Sequence, residues 1–304
     1  MLVSSGPEIF LFTKQGQVRK LLLQLDTSPH PSVFDQIVAH DAGADAIMSY
    51  GGVTPDAVEG LVHGCIFTRG PKDLKNTAIF IGGTDMAAGE ELLAAVEKAF
   101  FGPMRVSVML DSNGSNTTAV AAVAKLEQAA GGVEGKRAVI TAGTGPVGVR
   151  AAGLLAGRGA EVVMTSRRLE YAQQVAARTA ERFGGSITAV HMAAGSAAAA
   201  TLEGANLVLN AGGAGICLVP KTAWAGREGL AAAADVNAVP PLGIEGVEVT
   251  DNGESREGAA VFGALGVGGL KMKIHKASIA RLFERNDLVL DAETIDQVAK
   301  ELGG

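Results

Sequence analysis

The sequence predicts an α/β protein of two domains on parallel sheets, with C-terminal helices returning to the cleft between them. Three observations predict it. Short apolar runs alternate with helix-patterned segments along the first 130 residues; an apolar run enters a GxGxxG turn at Gly143, Gly145 and Gly148; and the glycine-rich segment 131–136 divides the two regions. Such alternation implies βαβ units, because a parallel strand needs helices over both faces.

The first region reads as strands at 21–25, 44–48, 65–68, 78–81 and 106–110, each a short buried apolar run. Between them lie helix signals. One segment opens at Ser32 and stops near Gly43; the next has Thr54 as N-cap, Pro55 at the first helical position and Gly64 at its end. Two more span 85–101 and 116–130. This gives an N-terminal α/β domain over 19–132, preceded by an extension, 1–18, with no role assigned. The second domain, 133–270, continues from the glycine turn through a helix at 147–155, a strand at 160–166 and a helix at 169–183. Strands at 187–191, 207–210 and 231–236 complete it. The alanine-rich stretch 193–200 is helix-compatible. Helices at 268–284 and 292–302 occupy the C-terminal part, 271–304.

At 304 residues, with 47% hydrophobic and 19% charged residues, the chain can bury two cores. A net charge of −6 with no basic run argues against nucleic acid or an anionic membrane as partner. Cys65 and Cys217 lie outside any disulfide or zinc spacing, so no metal is expected and a reducing cytoplasm fits. No apolar run reaches the ~18 residues that cross a bilayer. Ile9-Phe10-Leu11-Phe12 lacks the basic start and cleavage pattern of a signal peptide.

The glycine turn is a dinucleotide site by its chemistry. Gly143 permits the bend, Gly145 lets backbone approach a pyrophosphate, Gly148 lets the helix pack close, and Thr144, Pro146 and Val147 complete the turn and the helix start. Unpaired N–H groups at that helix start attract phosphate. The second strand then ends in Ser166-Arg167-Arg168, where an NAD-binding fold places an Asp or Glu. Guanidinium pairs with a 2′-phosphate that a carboxylate would repel, so the cofactor is read as NADP, with Arg167 and Ser166 on its phosphate.

A second ligand belongs in loops beyond strand ends. The loop Asp111-Ser112-Asn113-Gly114-Ser115-Asn116-Thr117-Thr118 carries seven polar side chains around one glycine, more than a helix cap requires. Further strand-end loops are 82–85, 210–213 and 235–241, and in the last two Ala211 and Asn237 are read as cofactor-binding. The glycine-rich segment 262–273 is the other dense signal, and it places Lys271 in the first turns of a helix, where a cation opposes the dipole. Lys273, His275 and Lys276 read as solvated or held by carboxylates.

At Leu22-Leu23-Gln24-Leu25-Asp26-Thr27, Pro31-Ser32-Val33-Phe34-Asp35, Phe101-Gly102-Pro103, the 111–118 loop, Ala142-Gly143-Thr144-Gly145-Pro146-Val147-Gly148 and Gly266-Val267-Gly268-Gly269-Leu270-Lys271, the chain resembles the NADP-dependent methylene-tetrahydromethanopterin dehydrogenases of methylotrophic bacteria, some of which also use methylene-tetrahydrofolate. The likeness runs from about Lys20 to the C-terminus. It implies hydride transfer from the methylene carbon of a reduced pterin C1 carrier to NADP, giving the methenyl form, by a homo-oligomer, a trimer. It also implies Lys271 as the catalytic cleft lysine. Asp111, Asn113 and Thr117 would meet the pterin, since carboxylate and amide suit an amino-oxo pyrimidine edge. Phe34 would offer a ring face, Asp26 would orient Lys271, and Phe262 and Ala264 would lie near the nicotinamide. The related dehydrogenase/cyclohydrolases carry Tyr-x-x-x-Lys; here Tyr50 is followed by Gly51, Gly52, Val53 and Thr54, which leaves no cyclohydrolase lysine.

Two other classes compete. An alcohol or hydroxy-acid dehydrogenase needs a proton acceptor, and His30, His40, His63, His191 and His275 share no motif. An NADPH-sensing protein would keep the glycine turn but would not need the 111–118 loop.

Overall fold

The computed structural model describes residues 18–193 and 197–303. The extension 1–18, apart from Val18, and part of the alanine-rich stretch lie outside them. Strands β1 (Leu21–Asp26), β2 (Ala46–Tyr50), β3 (Thr77–Gly82) and β4 (Ser107–Leu110) alternate with helices α1 (Val33–Asp41), α2 (Pro55–Ile66), α3 (Met86–Ala99) and α4 (Ser115–Ala130). The strands form a parallel sheet of order β12-β4-β3-β1-β2, whose edge β12 (Val289–Leu290) comes from the far end of the chain. This is the doubly wound 2-1-3-4-5 order, with its switch point between β1 and β3.

The second sheet contains β5 (Arg137–Thr141), β6 (Glu161–Ser166), β7 (Ser186–His191), β8 (Leu207–Asn210), β9 (Ala232–Asp235), β10 (Asn252–Arg256) and β11 (Ala259–Phe262). Its order is β10-β11-β9-β8-β5-β6-β7, parallel except for the β10–β11 hairpin at the edge. From β7 to β11 this is the Rossmann order, and the strand direction of travel reverses between β5 and β8. Helices α5 (Pro146–Gly157) and α6 (Leu169–Phe183) cover one face; the short α7 (Ala198–Thr201) and α8 (Lys221–Trp224) contribute to the other, where Trp224 is buried.

Helices α9 (Ala264–Arg281) and α10 (Ala292–Glu301) return across the molecule. A single apolar cluster runs from Leu22 and Phe80 under the first sheet, through Val120 and Leu126 of α4 and Ile274 and Ile279 of α9, to Ile140 and Met164 under the second. The two sheets therefore share a core. Arg150 of α5 reinforces this junction, donating from Nε to Asn116 Oδ1 at 3.0 Å and from Nη2 to Glu90 Oε1 at 2.6 Å.

Three expectations are corrected. Segment 65–68 is no strand: Val58, Val62, Cys65 and Ile66 form the buried face of α2, so the apolar run is that helix's last turn. The β10–β11 hairpin and β12 were not anticipated, because Asn252–Arg256 is polar and exposed and Val289–Leu290 is two residues long. Helix α9 begins at Ala264 rather than 268. Two of its glycines are required by packing: a Cβ on Gly263 would fall 1.9 Å from Glu248 O, and one on Gly266 2.0 Å from Asp251 O, whereas Gly268 and Gly269 face open space.

Candidate active site

The glycine turn closes against its own fold. A Cβ on Gly143 would lie 2.6 Å from Met164 Cγ, and one on Gly148 2.7 Å from Gly143 Cα, so both must stay bare for β5, β6 and α5 to pack. The left-handed residue of the bend is Ala142, φ 51°, rather than Gly143. Gly145 differs from both: a Cβ there meets only ordinary contacts, at 3.6 and 3.9 Å. Packing alone therefore does not require a glycine at this position. Gly145 is also the N-cap of α5 and, having no side chain, leaves the first N–H groups of that helix facing outward.

A cavity of about 720 Å³ opens there, lined by Thr144, Gly145, Pro146, Val147, Ser166, Arg167, Ala211 and Asn113 among others. Asn113 comes from the other sheet's loop, so the cavity spans the junction. Arg168 lines it too, with its guanidinium 4.5 Å from the centre of the Tyr171 ring. That stacking holds Arg168 to one side, whereas Arg167 has no such partner among the described residues.

Asn237, Phe262 and Ala264 do not line this cavity. Asn237 builds its own loop, its N–H donating to Asp235 Oδ1 and its Oδ1 accepting from Val239 N. Phe262 is buried at the end of β11, and Ala264 opens α9. A buried chain of bonds, Thr141 Oγ1 to Asn210 Oδ1 at 2.7 Å and Asn210 Nδ2 to Asp235 Oδ1 at 2.8 Å, ties the ends of β5, β8 and β9 beneath the loops that carry Ala211 and Asn237.

The 111–118 loop folds inward, contrary to its expected presentation to a ligand. Asp111 is buried and accepts twice from Thr117, Oδ1 from its N–H at 3.0 Å and Oδ2 from its hydroxyl at 2.6 Å. Ser112 donates to Gly82 O, Ser115 to Ser112 O and Asn116 to Leu110 O. Asn113, at φ 56°, is the exposed polar residue this folding leaves at the cavity. Asp26 is likewise engaged: its oxygens accept from Ser28 N at 2.8 Å and Ser32 N at 3.0 Å, fixing the turn that starts α1.

Around Lys271 the structure assembles a cluster that spacing alone could not show. Lys271 lies in the third turn of α9, well past the first, so the helix-start argument for it falls away. Its Nζ sits 4.4 Å from the centre of the Phe34 ring and close beside Gly114. Asp35 and His275 complete the group, with His275 Nε2 4.0 Å from Asp35 Oδ1. His275 is fully buried, stacked on Phe80 at 5.6 Å between ring centres, and neither ring nitrogen has a hydrogen-bond partner among the described residues. It is therefore not solvated, whereas Lys276 is held by Asp41 at 2.7 Å.

Burial sets the charge states. It pushes the Asp111 carboxyl up to about 6, against the pull of Lys271 and the Thr117 bonds. It also raises Asp35, opposed by Ser32 and Lys271. His275 is driven down to about 3 by burial and then by Lys271, so its imidazole is neutral. The sequence reading missed Asp35 and His275, yet both carry a periodic signal: Asp35 precedes buried Val38 and Ala39 by three and four residues, and His275 follows Lys271 by four. Among the described residues, no group of three or more His, Cys, Asp or Glu is placed to hold a metal ion, and no helix is long and apolar enough to cross a membrane.

Comparison with known proteins agrees with this architecture. Residues 33–113 match the family described as methylene-tetrahydromethanopterin dehydrogenase, N-terminal. The bifunctional protein MdtA of Methylorubrum extorquens is 54% identical over 285 residues, covering 93% of this chain and 99% of that protein. The NAD(P)-dependent methylenetetrahydromethanopterin dehydrogenase of the same organism is 33% identical over 295 residues, covering 94% and 99%. Among solved structures, a shikimate 5-dehydrogenase from Listeria monocytogenes, in complex with shikimate and NAD, aligns over 93% of this chain and 96% of its own with a TM-score of 0.54. At 12% identity that likeness concerns the fold alone. Sequence identity of this extent over nearly the whole chain shows that the protein belongs to the methylene-tetrahydromethanopterin dehydrogenase family.

Proposed function

We propose that this protein transfers a hydride from the methylene group of a reduced pterin C1 carrier, methylene-tetrahydromethanopterin and also methylene-tetrahydrofolate, to NADP. The observation that carries the reading is Asn113, which extends from the loop beyond β4 into the cavity built by the glycine turn. The substrate-side loop and the cofactor site thus share one wall.

A bound nicotinamide supplies the hydride acceptor; the chain's residues bind and orient. Gly145 and the uncapped start of α5 take the pyrophosphate, Thr144, Pro146 and Val147 shape the turn, and Arg167 with Ser166 takes the 2′-phosphate. Hydride loss from a carbon between two nitrogens leaves a delocalised cation, so no protein base is required. What the site must supply is alignment, with donor and acceptor carbons about 3 to 3.5 Å apart. Lys271 beside a forming cation would oppose the step. Its neighbours Asp35 and Asp111 offset its charge, leaving it to hold a pterin oxygen and Phe34 to border the ring. Asp26, Asp111 and Thr117 act from beneath, by fixing the loops that present these groups. Asn237, Phe262 and Ala264 close the nicotinamide end from behind the cavity wall.

An alcohol dehydrogenase would need a proton acceptor in the cleft, and His275, one helical turn from Lys271, is buried and neutral. The family resemblance further supports a cytoplasmic homotrimer. The test is NADP reduction with each methylene carrier: turnover with either supports the reading, and no turnover with both, while NADP still binds, overturns it.

A further inference from the structure

We propose that Asp35, oriented by His275, is the carboxylate that reads the amino-oxo pyrimidine edge of the bound pterin; this rests on the dehydrogenase reading above. Three carboxylates surround the substrate side of the cleft, and two are already committed. Asp26 is held by two backbone N–H groups of its own turn, and Asp111 by the N–H and hydroxyl of Thr117. Asp35 is different. Among the described residues its surroundings offer the Ser32 hydroxyl and the charge of Lys271, which leaves open most of the roughly four acceptor directions of a carboxylate.

Its position suits a ligand. Asp35 stands in the first turn of α1, next to half-exposed Phe34, and a Cβ built on Gly82 would lie 3.6 Å from its Oδ2. The carboxylate therefore lies over the end of β3, at the switch point of the sheet, where open α/β sheets bind ligands. A 2-amino-4-oxo pyrimidine presents N3–H and the 2-amino N–H side by side. Those two parallel donors match the two oxygens of one carboxylate.

His275 supplies the second, independent observation. It is wholly buried, and among the described residues both ring nitrogens lack a partner although Nε2 points to Asp35 Oδ1 at 4.0 Å. A buried polar group in this state is exceptional and calls for a role. The imidazole is neutral, so one nitrogen carries a proton. A shift of about an ångström brings that N–H into hydrogen-bond range of Asp35. The bond would turn the carboxylate toward the cleft, with Phe80 stacked behind the imidazole as its support. Asp35 is thus a binding residue and His275 a positioning residue.

The experiment measures binding of two probes to the NADP complex: 6-methyltetrahydropterin, and the same compound with its 2-amino group replaced by hydrogen. Wild type should prefer the intact pterin by about tenfold or more, the scale of a hydrogen bond to a charged group. Asp35→Asn should reduce that preference to within about threefold while NADP binding is unchanged. His275→Phe, which keeps the ring packing, should raise KM for the carrier with little change in kcat, and His275→Gln, which keeps an N–H, should recover part of the loss. A wild type that binds both probes equally overturns the proposal, whether or not the variants fold. So does an Asp35→Asn protein that discriminates as wild type does. A wild type that binds neither pterin while holding NADP overturns the dehydrogenase reading itself.

Discussion

Lys271 is the residue on which most of the chemistry converges, and its environment defines what can be tested. Its ammonium is set against the Phe34 ring and feels the charges of Asp35 and Asp111, and it is not among the residues that line the cavity of Thr144 and Arg167. Lys271→Ala should therefore lower kcat/KM for the methylene carrier by about a hundredfold, on the order of 3 kcal/mol, and leave NADP affinity nearly unchanged in a titration of cofactor fluorescence. Equal losses in both would remove Lys271 from the substrate side. Arg167 has the complementary signature. With Arg168 stacked on Tyr171, Arg167→Ala should cut the preference for NADP over NAD by about tenfold to a hundredfold, and Arg168→Ala by much less. Ratios of kcat/KM with the two cofactors measure this, and an unchanged ratio in Arg167→Ala would put the 2′-phosphate elsewhere. The sequence brought Arg167 forward by its place at a strand end and Lys271 by a helix-start argument that the observed start of α9 removes. Asp35 and His275 were not singled out, because they lie on helices far apart in the sequence and the importance of each comes from facing the other.

At the scale of elements, α4 packs against α5, and the Arg150–Glu90 ion pair ties α3 to the same junction. Arg150 carries that junction: its side chain is 8% exposed and bonds Asn116 at the start of α4 and Glu90 of α3, while Arg182 of α6 approaches the same Glu90 at 3.7 Å. Arg150→Met should cost about 1–3 kcal/mol, because Asn116 Oδ1 is left buried without its donor. Glu90→Gln should cost less than about 1 kcal/mol, since Glu90 is 46% exposed and water replaces the pair. Urea unfolding of the two variants checks the order, and equal effects would mean that the ion pair matters more than the buried amide. The sequence located most of these elements because strand and helix periods differ, 2 against 3.6. It failed at 65–68, where Cys65 and Ile66 continued the buried face of α2, and at β12, where two residues are too few to carry any period.

Across the whole molecule, one core joins the two sheets, so the charge states buried in it bear on global stability. His275, driven down to about 3 from 6.5, favours its neutral form in the fold; its contribution is complete above about 6.5 and is lost as pH falls toward 3. Asp111, raised to about 6 from 3.8, works in the opposite sense: its contribution is complete below 3.8 and is lost as pH rises through 6. Between about pH 6 and 4 the two oppose each other. His275→Phe removes one of them, so its stability relative to wild type should increase by about 1.4 kcal/mol for each pH unit lowered in that window. Denaturation midpoints at pH 4 to 7 measure the difference, and a constant offset would show that His275 is not titrating as a buried neutral group. The α/β class, the glycine turn and the Ser166-Arg167 strand end could be read from the sequence, because each depends on local backbone geometry or on residue type at short spacing, whereas the local argument for Lys271 failed once α9 was seen to start at Ala264. It took the tertiary structure to show that Asp111 and Asp26 are occupied by their own loops, while among the described residues Asp35 has no comparable pair of donors. That difference depends on which donors reach each carboxylate. Asp35 takes its neighbours from α9, some 240 residues along the chain, and a pairing over that distance is set by packing rather than by any local pattern.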